Sequence, residues 1–242
     1  MSVQLQRGAS TRSRESGIHS ARSVRPADRL LVSEVSKTWQ GKTVLEDVDL
    51  SLEPGVLAAL VGVNGVGKTT LLRIIAGLIA ADSGTVSLDG FDVTRNRREY
   101  QRQLGFVSAG QTGLYARLSV RNHFEYWARI ALVPRRDRTA AIERTIERFD
   151  LSELCLQRPD RLSMGQRQRV RLAMGFLHDP RLVLLDEPQT SLDPPGVEVL
   201  SRVLEDYVSS GGTVIWCAPT VGDIHPAFEG VFTLAGSRLE VT

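Results

Sequence analysis

Two clusters of residues in this chain have the types and spacing to do chemistry. The first is Gly62-Val63-Asn64-Gly65-Val66-Gly67-Lys68-Thr69-Thr70, which fits the spacing G-x-x-x-x-G-K-[ST]. Glycines so spaced let backbone N–H groups close around a phosphate, and a helix starting behind them adds its partial positive charge. Lys68 is placed to reach the outer phosphates of a nucleotide, and the Thr69 hydroxyl to hold Mg²⁺. The second cluster is Asp186-Glu187, which ends the apolar run Leu182-Val183-Leu184-Leu185. Two adjacent carboxylates on a buried strand are costly unless they serve an ion or a proton. Beside a phosphate loop, the aspartate reads as part of the cation's ligand set and the glutamate as a general base for an attacking water.

The elements around these clusters must hold them in place. Val56 to Val61 is a continuous apolar run and reads as a buried strand, and Leu71 to Ile79 reads as a buried helix. Leu30 to Ser36 and Val44 to Leu52 read as earlier strands, with turns at Gly41 and Pro54-Gly55. Further strands are expected at Thr85 to Leu88, Leu104 to Val107, Leu182 to Glu187 and Thr213 to Ala218, with a closing hairpin of Val231 to Leu234 and Arg238 to Val241. Arg95 to Gln103 reads as a charged helix with a solvated face. No strand is evident between Gly113 and Arg161; Val120 to Leu132 and Thr139 to Phe149 read as helices of an inserted lobe, at about 113–165. Ser163 with Gln166 three residues later is a capping-box pattern, followed by Val170, Ala173, Met174 and Leu177 on one face. The expected fold class is α/β, with a mostly parallel sheet, an N-terminal antiparallel β subdomain and an inserted α-helical lobe.

Composition narrows the options. The 242 residues are 42% hydrophobic and 24% charged, with net charge +2, as in an ordinary globular protein with no general demand for a polyanionic partner. Cys155 and Cys217 are the only cysteines, which leaves no disulfide framework and no zinc spacing. No apolar run approaches the roughly 18 residues of a membrane span. Residues 1–28 are rich in Ser and Arg and read as a disordered tail; a transit peptide and a basic arm for nucleic acid or anionic lipid are the other readings.

Leu162-Ser163-Met164-Gly165-Gln166-Arg167-Gln168-Arg169 has no use in a generic nucleotide-binding fold. With the two clusters in the same order, it resembles the signature of the nucleotide-binding subunits of ABC transporters, which are P-loop NTPases. The resemblance covers about residues 30–242. It implies that Gly62, Asn64, Gly65, Gly67, Lys68, Thr69 and Thr70 bind ATP, with Thr69 and Asp186 on Mg²⁺ and Glu187 as catalytic base. It implies that Ser163, Gly165 and Gln166 cap the γ-phosphate of ATP held by a second ATPase subunit, across an interface crossed by Ser191-Leu192-Asp193. Trp39 falls where the family stacks an aromatic on adenine; a core aromatic is the other reading of the residue. Met164 stands in place of the first signature glycine.

Two positions depart from the family pattern. The His expected just past the strand Thr213 to Ala218 is Pro219, which has no side-chain donor or acceptor, and His225 lies six residues farther on. The Gln expected after Val107, a catalytic and metal-ligating residue in the family, aligns with Ala109, with Gln111 two positions later. The expected function is that of an ATP-hydrolysing motor which dimerises on ATP to drive a separate transmembrane permease subunit, at the inner face of the cell membrane. Gly113 to Ser119 resembles short exporter-type members, so export is favoured over import. Retention of Glu187 favours a homodimer; a subunit of weak own-site turnover that completes a partner's ATP site is the other possibility. A soluble ABC-type ATPase of complex or metal-cluster assembly is the rival reading, and no specific nucleic acid is expected.

Overall fold

The computed structural model describes residues 18–19, 29–110, 113–220, 222 and 228–241. The expectation of a disordered tail therefore lies outside the described residues except at Ile18–His19 (β1), whose backbone pairs antiparallel with Leu52 and Ser51. Two sheets organise the chain. The first is antiparallel and contains β2 (Leu30–Trp39), β3 (Lys42–Leu52), β5 (Ser83–Leu88) and β6 (Phe91–Asp92), in the order β1-β3-β2-β5-β6.

The second sheet is largely parallel. Its strands are β4 (Leu57–Val61), β7 (Leu104–Val107), β8 (Leu182–Asp186), β9 (Thr213–Ala218), β10 (Gly230–Ala235) and β11 (Arg238–Val241), in the order β11-β10-β4-β9-β8-β7. Only the β10–β11 hairpin is antiparallel. The apolar runs of β4, β8 and β9 are continuous because these strands are buried on both faces. Leu57, Ala59 and Val61 join one core cluster with Val183 and Leu185, whereas Ala58 and Leu60 join a second with Leu182 and Leu184. The fold class is the α/β P-loop arrangement expected from the sequence.

The helices are α1 (Lys68–Ile75), α2 (Arg97–Arg102), α3 (Val120–Ile130), α4 (Arg138–Arg148), α5 (Met164–Phe176) and α6 (Pro194–Ser209). Between Gly113 and Arg161 the described residues form α3, α4 and two short 3₁₀ turns, with no strand. None of the helices is long and apolar enough to cross a membrane.

Two expectations need correction. The helix read from Leu71 to Ile79 starts at Lys68 and stops at Ile75. It is closed by a Schellman pair, Leu78 N–H to Arg73 O and Gly77 N–H to Ile74 O, both 2.9 Å, with Gly77 at φ 66. The charged stretch at α2 is not simply a solvated face, because Tyr100 is fully buried and donates its hydroxyl to Ile75 O. Trp39, 47% exposed at the tip of the β2–β3 hairpin, does not take the alternative core position.

Helix α5 lies on the parallel sheet at very short range. A Cβ added to Gly105 of β7 would sit 2.2 Å from Gly175 O of α5. Gly105→Ala is therefore expected to force the helix off the strand and cost about 2 kcal/mol of stability, as overpacking of a filled core does. Urea denaturation would register it as a lower midpoint.

Candidate active site

Parallel pairing brings the ends of β4, β9 and β8 side by side: Val61 is opposite Ala218, and Asp186 is opposite Cys217. The residues just past these ends are therefore neighbours, namely Gly62, Pro219 and Glu187. This edge is where an open α/β sheet binds its ligands.

The phosphate-binding candidates follow directly. Gly67 is the N-cap of α1 at φ 123, a conformation L side chains rarely adopt, and an added Cβ would strike Val44 Cγ1 at 2.8 Å. The first turn of α1 has no side-chain cap and no acidic residue, so its N–H groups remain available to an anion. Lys68 is buried, and its ammonium donates to Gly62 O and, at 3.2 Å, to Val63 O. Asn64 and Gly65 are exposed on the loop, and Thr70 is half-buried in the first turn.

Thr69 Oγ1 donates to Asp186 Oδ2 at 2.9 Å, although the two residues are 117 positions apart. A hydroxyl and a carboxylate so placed suit a hard cation such as Mg²⁺, which takes few protein oxygens and completes its shell with phosphate and water. Among the described residues no group of three or more His, Cys, Asp or Glu could hold a metal unaided. Burial first, and the Asp186 charge next, push the Cys217 thiol up, so it stays neutral beside the carboxylate.

Glu187 is half-buried and adopts φ 49, in the left-handed region that costs a non-glycine residue. Its N–H is held by Cys217 O at 3.1 Å. Pro219 is half-buried next to this edge and offers it no polar side-chain atom. Gln111 and His225 both lie outside the described residues.

Ser163 caps α5 as expected. Its Oγ accepts from Gln166 N–H at 3.1 Å, and Gln166 Oε1 accepts from Ser163 N–H at 2.9 Å. Gly165 is buried against the following loop, with Asp193 and Ser191 each 3.2 Å from an added Cβ, whereas Met164 is 54% exposed. Among the described residues, no hydrogen bond or ion pair joins Ser163–Gln166 to the Gly62–Thr70 loop. In the same β2–β3 hairpin as Trp39, Val44 packs against Gly67, where an added Cβ would meet its Cγ1, and Lys37 Nζ lies 4.9 Å from the Trp39 ring centre.

Arg171 and Gln168 were not singled out by the sequence reading. Arg171 is 5% exposed. Its guanidinium donates to Ser108 O at 2.7 Å, to Gly110 O and to Gln168 Oε1 at 2.6 Å. Gln168 Nε2 in turn donates to Pro188 O at 2.8 Å. A buried polar chain thus runs from the loop after β7 to the residue after Glu187. Burial lowers the Arg171 pKa from its ordinary high value. The only sequence signal was a basic, Gln-rich run, which reads just as well as a solvated face. A second anchor is His123, fully buried, whose Nε2 accepts from Tyr115 N–H at 2.7 Å while Nδ1 lies 2.8 Å from Ser119 O. Burial lowers its pKa, so the ring stays neutral and the Gly113–Ser119 segment stays pinned.

Residues 45–190, from β3 past Asp186-Glu187, match the ABC transporter family. The chain belongs to that family. Among its relatives, the ABC transporter ATP-binding protein NatA of Bacillus subtilis is 29% identical over 209 residues, covering 85% of each chain. A sulfate/thiosulfate import ATP-binding protein, CysA of Gloeobacter violaceus, is 39% identical over 164 residues, which are 68% of this chain but 47% of that protein. This ABC chain therefore spans about half the length of that import protein. Two solved structures share the fold at 24% identity. They are an ATP-binding subunit of an ABC transporter (TM-score 0.79, 88% of this chain and 89% of that one) and CbiO1 of Clostridium perfringens, part of the transporter complex CbiONQ (TM-score 0.77, 88% and 87%). As an ABC ATP-binding domain the chain has ATPase chemistry as its family activity.

Proposed function

We propose that this ABC chain is the ATP-hydrolysing motor subunit of a transporter, closing on a second ATPase subunit around ATP and driving a separate transmembrane subunit. The observation that carries the reading is the Thr69–Asp186 contact of 2.9 Å, beside Glu187 and the phosphate loop. In this reading the loop amides from Gly62 to Thr70 and the Lys68 ammonium hold the phosphates, exchanging the carbonyls of Gly62 and Val63 for phosphate oxygens. Thr69 and Asp186 would hold Mg²⁺, which would supply charge stabilisation to the phosphoryl group. Glu187 accepts the proton of the attacking water, with Gln111 as a second positioning and metal ligand. Trp39, exposed at a hairpin tip, stacks on adenine.

Ser163, Gly165 and Gln166 serve the other subunit's ATP. Their capping box holds the α5 N-terminus in a fixed geometry, and among the described residues no hydrogen bond or ion pair joins them to this chain's own loop, which supports a shared site completed by dimerisation. Dimer closure would move the transmembrane partner through the helical lobe and the 111–117 segment, placing the chain at the inner face of the membrane. The Gly113–Ser119 stretch favours an exporter, and retention of Glu187 favours a homodimer.

Pro219 favours a second arrangement, in which the chain's own loop turns over slowly and its signature completes a better-equipped partner. The two arrangements separate on one measurement. Pro219→His should raise ATP turnover by about tenfold or more, the scale of a restored charge-assisted contact in the transition state. Steady-state phosphate release by the purified complex reads it, and an unchanged rate would show that another group already fills the role.

A further inference from the structure

The tip of the β2–β3 hairpin, which carries Trp39, runs beyond the support of its sheet. The last β2–β5 pair is Ser36 with Ser83, so among the described residues no strand flanks β2 on that side from Lys37 onward. Asp82, the residue before β5, takes the place of the missing strand. Its N–H donates to Ser36 O at 2.9 Å. Its Oδ1 accepts from Lys37 Nζ at 2.6 Å, and its Oδ2 accepts from Thr38 N–H at 2.7 Å. One aspartate thus holds Ser36, Lys37 and Thr38, which lead into Trp39. The bond from Lys37 first, and that from Thr38 N–H next, keep the Asp82 carboxyl below its usual range, so it is ionised at neutral pH. The Lys37 side chain is only 13% exposed although it ends in an ammonium. It lies over the Trp39 ring, 4.9 Å from its centre, inside the reach of about 6 Å over which a cation is attracted to an aromatic face.

A tryptophan offers two faces to a planar ligand, and here the chain's own ammonium occupies one of them. We propose that Asp82 and Lys37 are positioning residues for the nucleotide: Asp82 holds Lys37 over one face of Trp39 and leaves the other face as a fixed platform for the base. The inference rests on the reading of Trp39 as the adenine platform and adds what sets that platform in place. An exposed ring at a hairpin tip would otherwise sample several rotamers, and each incoming base would have to order it at a loss of affinity. The ammonium also offsets the repulsion between the two electron-rich faces that meet when a base stacks on the ring. The same hairpin is fixed at Val44, which packs against Gly67 of the phosphate loop. Base and phosphates belong to one molecule of limited span, so a hairpin anchored at both Asp82 and Gly67 presents the two subsites at a set spacing. In this arrangement neither Asp82 nor Lys37 bonds to phosphate, and their effect is confined to ligands that carry a base.

Equilibrium binding to the purified full-length chain tests this with two probes, Mg²⁺–ATP and Mg²⁺–tripolyphosphate, the second having the phosphates without the base. D82A and K37M are each expected to bind ATP about fivefold more weakly, a part of what base stacking on an aromatic ring contributes. K37R should stay within about twofold of the native chain, because a guanidinium both covers an aromatic face and pairs with a carboxylate. Tripolyphosphate affinity should match the native value in all three, which also reports that each variant is folded. W39A serves as the reference and should lose roughly tenfold or more for ATP alone. Equal losses for ATP and tripolyphosphate in D82A and K37M would make the pair a general support of the fold and overturn the inference. If W39A loses ATP affinity while D82A or K37M binds ATP at the native level, the platform stands and its clamp is overturned. If W39A itself binds ATP at the native level, the adenine reading of Trp39 falls and the clamp falls with it.

Discussion

Glu187→Gln is expected to lower ATP turnover by about 10²–10⁴-fold while leaving ATP binding intact, the range a positioned general base contributes. The substitution keeps volume and hydrogen-bonding shape, and the backbone that positions the residue is held independently. Glu187 N–H donates to Cys217 O at 3.1 Å and Glu187 O accepts from Thr190 N–H at 3.2 Å, so the φ 49 conformation does not depend on the carboxylate. What is lost is the ability to accept a proton. Because hydrolysis reopens the proposed ATP-bound pair, the variant should accumulate as an ATP-dependent dimer. Phosphate release and light scattering in the presence of ATP measure the two effects separately. Turnover at an appreciable native rate would place the base elsewhere, and a negligible rate in both native chain and variant would leave this chain as a nucleotide-binding scaffold.

Arg171→Met should cost about 3 kcal/mol of stability and depress turnover further than that loss explains. The side chain is 5% exposed and supplies donors to two carbonyls and one amide oxygen. Methionine has comparable length and no donor, and each buried acceptor left unpaired costs roughly 1–3 kcal/mol, offset in part where the loop after β7 can reach water. The effect on turnover follows from Gln168, which loses its contact with Arg171 and holds Pro188 O, one residue from Glu187. Urea titration gives the stability term, and kcat at a temperature where the variant stays folded gives the rest. Arg171→Lys should recover only part, because an ammonium lacks the planar fork that spans Ser108 O and Gly110 O. If the two residues act as one unit, Arg171→Met and Gln168→Leu combined will lose much less than the sum of the single losses.

The parts of this protein that local rules govern were legible in the chain itself. Continuous apolar runs bounded by turn residues identify β7 and β9 at their observed limits, because two-sided burial demands them. Ser163 and Gln166 announce the cap of α5 because its hydrogen bonds span only three residues. The phosphate loop is recognisable because its glycines answer a purely backbone requirement. Gly77 was a local signal too, and reading it as a helix stop would have ended α1 at Ile75.

Tertiary structure decided what depends on partners far away in the chain. That Trp39 is exposed follows from its place at a hairpin tip, and no property of a tryptophan states it. The Thr69–Asp186 contact needs β4 and β8 in one sheet with β9 between them, an order that strand patterns do not encode. Arg171 looks like any surface arginine until Ser108 and Gly110, more than sixty residues earlier, come to it. A residue's identity states what it can bond to, whereas burial and neighbours depend on how distant segments pack.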